Sequence, residues 1–599
     1  MAQLHRDARH AELEEAATRL LREHPQHGFL WKALGVACTA LGKHEQALAA
    51  KLRAAQLLPN DAEAHGNLAN AVAKLPQPRD ALRPSLAHAH NQLGNFLRDA
   101  HRMPEARKRY EEALALQPGL GEALSNLGNT LSDLGLVHEA EARYRQALEA
   151  LPGRAEIHSN LGNLLKEQGR LQEAQVEYRA AVARDPTFLG GHSNLLLAMN
   201  HELGLPTTTL KEAALRFGEY VRSRAGAPLA VPAASPPHRP LRVGFVSGDL
   251  RNHPVGYFLE GLLAHIDPVQ LQLLAYTTIP RTDELSKRIR PRFHQWQCIA
   301  ALDDEAAARK VHADGIDVLI DLAGHTAYNR LGVFAWRPAP VQASWLGYFA
   351  TTGVPTMDWL VSDRASIAPS EHDAFSERIW YLPRTRLCFQ PPAQAPDVAP
   401  LPALATGAIT FGSFQNLGKI NDRVLGLWGR VMQALPQSRL RLQNTQVGDA
   451  WMAEQLRQRL NAAGIDPQRV EMHGRTSRRA YMEAHAQVDM ILDTFPYPGG
   501  TTTCEALWMG VPTVTLQGER MLSRQGASLL GAAGLAEWIA KDEAGYVQLA
   551  VSRASDLPAL GRLRADLREH VRVSALFDAK SFAADFTETL QGMVRRRVP

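Results

Sequence analysis

In the stretch DTFPYPGGTTTCEALWMGVP, residues 493–512, two glycines and three threonines directly precede an apolar helix. Gly499 and Gly500 lack a Cβ, so the backbone there can approach another molecule closely. Thr501, Thr502 and Thr503 fall where a helix begins, with unpaired N–H groups and hydroxyls facing one way. Helix dipole and free donors together suit an anion; the plainer alternative is a threonine-capped helix after a Pro-Gly turn. Lys419 argues for the anion. It follows a glycine in FGSFQNLGKI (411–420), in a strand-to-helix loop, and can set a point charge against a phosphate. With the glycine–threonine turn in the same half of the chain, the pair reads as a diphosphate site. Glu505, on the first turn of the helix, either accepts ribose hydroxyls or compensates the helix N-terminus. In HGRTSRRAYMEAH (473–485), Arg478 and Tyr481 share a helix face, which suits hydrogen bonding to a base and stacking on it. An exposed arginine beside a core tyrosine is the alternative there.

Proton chemistry has its candidates in the first half. His253, in SGDLRNHPVGYF, lies in the loop after a strand, and histidine is the side chain best tuned for proton transfer near neutral pH. His325 and Thr326 follow another strand, and Asp314, in HADGID, precedes that strand. No DxD, HExxH or clustered His/Asp/Glu set occurs, so catalysis without a bound metal is the expectation.

Two sheets must position these residues. LRVGFVSGDL, LQLLAYTT, VLIDLAG and APVQASWLG read as buried strands alternating with helical segments, which predicts a parallel sheet with crossover helices. After the proline-rich QPPAQAPDVAPLPALATGA (390–408), a second set follows in AITFGSF, RLRLQN, RVEMHG, VDMILDT and PTVTLQ. Two doubly wound domains in tandem bring their strand ends, and hence their ligand sites, to a shared cleft. No GxGxxG opens either half and no GxxxxGK[ST] occurs, which disfavours a dinucleotide enzyme or a P-loop NTPase.

The first third is a repeat. Leu93, Leu127, Leu161 and Leu195 recur at steps of 34 residues, as do Ala106, Ala140 and Ala174, then Tyr110, Tyr144 and Tyr178. Ala113, Ala147 and Ala181 follow, and Pro118, Pro152 and Pro186 close each unit. This is the tetratricopeptide pattern of paired helices. Trp31, Leu34, Gly35, Ala47, Ala54 and Pro59 fit an earlier unit, and residues 60–86 read as a degenerate one. Stacked pairs form a superhelix with a concave surface. Asn126, Asn160 and Asn194 each precede the repeat leucine, and a row of them could hold the backbone of an extended peptide. Alternatively, these amides bond only between neighbouring helices. The proline-rich AGAPLAVPAASPPHRP (225–240) reads as the linker beyond.

At 599 residues the chain exceeds one core, and a net charge of +4 gives no reason to expect nucleic-acid or membrane-surface binding. Four scattered cysteines give no zinc or disulfide framework, and no run approaches the ~18 apolar residues of a membrane span. A cytoplasmic setting is expected.

Taken in order, the repeats, LRVGFVSGDLRNHPVGYF, RPAPVQASWLGYFATTG, FGSFQNLGKI and LDTFPYPGGTTTCEALWMGVPTVT resemble the protein O-GlcNAc transferase family. That family also contains the SPINDLY-type protein O-fucosyltransferases. The resemblance runs over nearly the whole chain. It implies a tetratricopeptide superhelix (1–225) before a GT-B fold of two Rossmann-like domains, 226–395 and 396–599, with the nucleotide-sugar in the second. It also implies inverting, metal-independent transfer of a sugar to Ser or Thr of proteins threaded through the repeats, without a cofactor. By motif, the family's diphosphate-binding lysine corresponds to Lys419 and the neighbouring amide to Asn416. The phosphate-holding threonines correspond to Thr501 and Thr502, and the ribose-binding acid to Glu505. The base-contacting pair corresponds to Arg478 and Tyr481, with a backbone contact at Thr476. The proposed general base corresponds to His253, and Asp314 resembles another residue suggested for proton handling.

The chain also departs from the pattern. The O-GlcNAc enzymes usually carry histidine at the positions of Gly500 and Tyr481 and aspartate at that of Glu505. GHTAYNRLG, FGSFQNL and TTTCEALWMGVP resemble the SPINDLY branch more closely. The expected donor is UDP-GlcNAc, with GDP-fucose as the alternative. A repeat adaptor with a vestigial catalytic half is a rival of another class, and a small-molecule glycosyltransferase is a third option.

Overall fold

A computed structural model of the chain describes residues 1–58, 60–72, 83–229 and 239–596. Pro59, residues 73–82 of the expected degenerate repeat and residues 230–238 of the first proline-rich stretch lie outside the described residues. The chain forms two compact units, Met1–Leu164 with Ala183–Asp185, and Leu165–Val182 with Pro186–Pro599.

The first unit is helical, and its repeat positions are core. Ala106, Tyr110, Ala113, Leu127, Ala140, Tyr144, Ala147 and Leu161 are all buried. The glycines of two LGN motifs have a packing reason, since a Cβ on Gly94 or Gly128 would press into the rings of Tyr110 and Tyr144. The same tyrosines donate their hydroxyls to the motif's asparagine, Tyr110 to Asn95 at 2.8 Å and Tyr144 to Asn129 at 2.7 Å.

The second unit holds two parallel sheets. The first contains β1 (Leu241–Ser247), β2 (Leu271–Thr277), β3 (Gln295–Cys298), β4 (Val318–Asp321), β5 (Val341–Ser344), β6 (Trp359–Ser362) and β7 (Arg378–Tyr381), in the order 3-2-1-4-5-6-7. The second contains β8 (Thr410–Ser413), β9 (Arg439–Gln443), β10 (Val470–His473), β11 (Met490–Leu492), β12 (Thr513–Leu516) and β13 (Ile539–Ala540), in the order 10-9-8-11-12-13. Both orders reverse beside the first strand, β1 or β8, which is where doubly wound sheets open a crevice at their strand ends. Among the described residues no helix is long and apolar enough to cross a membrane.

Packing redistributes the expected segment boundaries. Helices Leu189–Asn200 and Thr207–Arg224, expected with the repeats of 1–225, share a core with Val333, Phe334 and Met357 of the first sheet's layer. Gly218 makes this possible, because a Cβ there would overlap the Gly353 carbonyl oxygen. The last helix, Ala579–Arg595, expected with 396–599, returns to the first sheet: the Trp345 ring lies 4.8 Å from Phe586, and Arg384 pairs with Asp585 at 2.8 Å.

Candidate active site

The loop between β11 and helix Thr501–Trp508 is built around Asp493. This buried carboxylate accepts the N–H of Gly499 at 2.8 Å, the N–H of Thr494 at 2.9 Å and the Thr515 hydroxyl at 2.7 Å. The loop folds so tightly that a Cβ on Gly499 would overlap the hydroxyls of Thr502 and Thr503 and the Gln415 amide. Gly500 is the residue before the helix, with no side chain to cap it. The first N–H groups of the helix therefore lack intrahelical acceptors. Gln415 donates to the Thr502 hydroxyl at 2.8 Å, while the Thr503 hydroxyl is buried without a partner.

Lys419 ends a short 3-10 turn, Leu417–Lys419, after β8. Its ammonium donates to the Pro498 carbonyl at 3.1 Å and lies 3.7 Å from the centre of the Tyr497 ring. Burial lowers its pKa to about 8, and Asp493 opposes the shift. The structure thus brings Lys419 to the residue preceding Gly499. Asn416 is exposed and caps its own turn by accepting the Gly418 N–H at 2.9 Å.

On the other side of the helix start, Glu505 is only 2% exposed. One oxygen pairs with Arg478 at 2.5 Å and the other accepts the Tyr481 hydroxyl at 2.9 Å. Burial raises the Glu505 pKa, and Arg478 and Tyr481 pull it back. Arg478 and Tyr481 share a helix face as expected, and both are engaged with Glu505. Thr476, on the preceding loop, accepts from the Gln443 amide at 3.1 Å.

The first sheet supplies the opposite wall. Helix Pro254–His265 is capped by His253, whose Nδ1 accepts the Val255 N–H at 3.3 Å. Tyr257, one turn further, has its ring 5.3 Å from the Arg478 guanidinium, so the His253 loop faces the Glu505 group. Burial lowers the His253 pKa, with Asp249, 3.5 Å from Nδ1, opposing. Among the described residues Nε2 of His253 has no partner, which leaves it available to a substrate. The loop after β7 braces this arrangement. Buried Arg386 donates to Gln525 at 3.0 Å, and Gln525 donates to the Gly499 carbonyl at 3.2 Å.

Two expected groups are elsewhere. Asp314 ends helix Asp304–Ala313 ahead of β4, with its carboxylate held by Tyr276 at 2.8 Å and Gln297 at 3.1 Å. Because β1 and β4 are parallel, this is the sheet edge opposite the His253 loop. His325 is fully buried between Ser193 and the Thr352 carbonyl, and burial lowers its pKa to about 4. In the repeats, Asn126 donates to Asn91 and Asn160 to Asn129, both at 3.0 Å, so these amides link neighbouring helices. Asn194 is partly buried on helix Leu189–Asn200. Among the described residues no group of three or more His, Cys, Asp or Glu side chains is arranged to hold a metal ion.

Residues 186–389 and 401–586 match Glycosyl transferase family 41, and residues 85–153 and 125–187 match tetratricopeptide repeat profiles. The chain belongs to glycosyl transferase family 41. Its relatives in that family include a protein from Petunia hybrida named probable UDP-N-acetylglucosamine–peptide N-acetylglucosaminyltransferase SPINDLY, 39% identical over 60% of this chain and 39% of that one. The namesake from Solanum lycopersicum is 37% identical over 67% of this chain and 44% of its own. The UDP-N-acetylglucosamine–peptide N-acetylglucosaminyltransferase of Caenorhabditis elegans is 25% identical over 59% of this chain and 41% of its own. The chain thus spans about two fifths of the length of the curated relatives it matches. The solved structure of a mutant Thermobaculum terrenum O-GlcNAc transferase superposes with a TM-score of 0.81 at 33% identity, covering 87% of this chain and all of that one.

In this family 41 chain, sequence reasoning missed the residues that hold the loop rather than face the cleft. Asp493 carried a signal: an acid at a strand's end, directly before a glycine-rich turn that needs acceptors. Gln415, Gln525 and Arg386 carried none, since their roles depend on contacts across the fold.

Proposed function

We propose that this chain is an inverting, metal-independent glycosyltransferase that moves GlcNAc from UDP-GlcNAc to Ser or Thr hydroxyls of proteins. The observation that carries the reading is the approach of Lys419 to the Pro498 carbonyl, beside a helix start whose first donors are free. An acceptor hydroxyl would attack the anomeric carbon as the bond to the diphosphate breaks on the opposite face. Negative charge then grows on the leaving diphosphate, where Lys419 and the N–H and hydroxyl groups of Thr501–Thr503 are preorganised to stabilise it. His253, across the cleft, would take the hydroxyl proton on Nε2 once its own proton lies on Nδ1, which then gives up the Val255 N–H and donates to Asp249. Arg478 and Tyr481 would take the base, and Glu505 the ribose, with Asn416 and Thr476 at the edges of that subsite. The names of the relatives support UDP-GlcNAc as donor and proteins as acceptors, which the repeats would bind. Four free cysteines, Cys298 exposed among them, support a reducing, cytoplasmic setting.

GDP-fucose is a second reading. SPINDLY-named relatives are 37–39% identical, against 29% and 25% for two N-acetylglucosaminyltransferases without that name, from Arabidopsis thaliana and Caenorhabditis elegans. Calorimetric titration with UDP, UDP-GlcNAc, GDP and GDP-fucose separates the cases. Binding of UDP and UDP-GlcNAc, with sugar release, is the expected result. A preference for GDP and GDP-fucose selects the second reading. Absence of binding to all four contradicts both and leaves a repeat adaptor.

A further inference from the structure

Tyr497, next to the glycine–threonine loop, gathers groups from distant parts of the fold. Its ring lies 3.7 Å from the Lys419 ammonium, 4.8 Å from the ring of His201 and 5.7 Å from that of Phe349. His201 directly follows helix Leu189–Asn200. The Arg386 guanidinium lies 5.1 Å from the centre of the Phe349 ring. Around these two rings several buried polar atoms have no hydrogen-bond partner: both ring nitrogens of His201, Oδ1 of Asn200 and one terminal nitrogen of Arg386. A terminal nitrogen of Arg520 is orphaned in the same way, although that side chain also donates to the Glu202 carbonyl. Asn200 is 1% exposed, Arg386 0% and His201 8%.

Buried polar groups in folded proteins are almost always paired, because an orphan loses its hydration without compensation. A cluster of them around the ring that the Lys419 ammonium faces calls for a polar ligand. The set mixes donors (the two arginines) with an acceptor (Asn200 Oδ1) and lies against aromatic rings. Hydroxyl groups both donate and accept, and the C–H faces of a hexose pack on aromatic rings, so a sugar ring matches the set. A carboxylate or phosphate would leave the Asn200 oxygen opposed to another acceptor. Burial, with the nearby cations Lys166, Lys419 and Arg520, lowers the His201 pKa to about 3. The imidazole is therefore neutral, with one donor and one acceptor nitrogen.

We propose that His201 contacts the transferred sugar: the end of helix Leu189–Asn200 forms a wall of the donor site, and the imidazole hydrogen-bonds hydroxyls of the hexose whose diphosphate Lys419 holds. This rests on the nucleotide-sugar reading above. It makes a residue of the helical region a specificity determinant of the donor.

The test uses the full chain, with UDP and UDP-GlcNAc or GDP and GDP-fucose, whichever pair the wild type binds. His201→Phe keeps a ring against Tyr497 and removes both nitrogens, while His201→Gln restores an amide near Nε2. His201→Phe should bind the free nucleoside diphosphate within about twofold of wild type, yet lose about tenfold in nucleotide-sugar affinity and in kcat/KM for donor hydrolysis. His201→Gln should recover part of that loss. Donor affinity and turnover of His201→Phe within about twofold of wild type would overturn the proposal alone. Equal loss of nucleoside diphosphate and nucleotide-sugar affinity would mark a packing role and overturn it too. A wild type that binds neither nucleotide removes the underlying reading, and the proposal with it.

Discussion

Lys419 donates from Nζ to the Pro498 carbonyl oxygen at 3.1 Å, directly ahead of the glycine pair that opens helix Thr501–Trp508. The two residues are 79 positions apart, and their meeting joins the β8 loop to the β11 loop. A carbonyl and an aromatic face satisfy an ammonium only in part, and burial makes the remaining demand for negative charge acute. The helix start beside it presents the same demand through its free N–H groups. A diphosphate would answer both at once.

The depressed pKa of Lys419 sets the pH dependence of binding. In the free protein the group titrates at about 8, below its ordinary 10.5. A bound diphosphate favours the ammonium, so binding takes up a proton once the free lysine has lost it. Affinity for UDP or GDP should hold steady between about pH 7 and 8, where the terminal phosphate is fully ionised, and fall above it, approaching about tenfold per pH unit. Lys419→Met should flatten the profile. Calorimetry across that range checks both, and a wild-type affinity that rises above pH 8 would contradict the assignment.

Gly499 and Gly500 should not be equivalent. A Cβ on Gly499 overlaps Thr502, Thr503 and Gln415, whereas one on Gly500 meets only the Gln525 amide, at 3.2 Å. Gly499→Ala should lower stability by about 1–3 kcal/mol, as overpacking does, and displace the threonine donors. Nucleoside diphosphate affinity should fall with it. Gly500→Ala should do much less on both counts in paired denaturation and binding measurements.

His253 and Asp314 should separate cleanly. His253→Ala removes the imidazole whose loop faces the Glu505 group, and kcat should fall by about 100-fold or more. Asp314→Asn, at the opposite sheet edge, should leave kcat within about twofold. It should cost about 1 kcal/mol of stability through its bonds to Tyr276 and Gln297. Steady-state donor hydrolysis and chemical denaturation of the two variants decide it.

Arg478→Ala leaves the buried Glu505 carboxylate with Tyr481 as its remaining hydrogen-bond donor. The arginine side chain is 43% exposed, so the loss should be smaller than for a fully buried pair, about 1–3 kcal/mol. Nucleotide affinity should drop as well, whereas Arg479→Ala, an exposed neighbour paired with Glu483, should change neither. Urea denaturation with nucleotide titration measures both effects.

Much of this was legible in the sequence where local rules govern. The near-continuous apolar runs in VLIDLAG and VDMILDT became central strands because buried parallel strands need such runs. Edge strands do not: QWQC of β3 is polar, and IA of β13 is two residues long, so neither carries a pattern. In RIWY of β7, Trp380 packs beside Gly592 of the last helix, whose return to the first sheet is a long-range event. Asp314, assigned by resemblance, precedes β4, whereas parallel sheets present ligands after their strands. Arg386, Gln525 and His201 were invisible because the Arg386–Gln525 and His201–Tyr497 contacts span more than 130 positions, and no spacing rule reaches that far.

Removing the Lys419 ammonium tests the central claim most directly. Lys419→Ala, shown to be folded by an unchanged circular dichroism spectrum, should lose at least about 100-fold in kcat for donor hydrolysis, the scale of a lost preorganised charge contact. It should also bind the nucleoside diphosphate more weakly than wild type does. Near-normal donor hydrolysis by that variant would contradict the account.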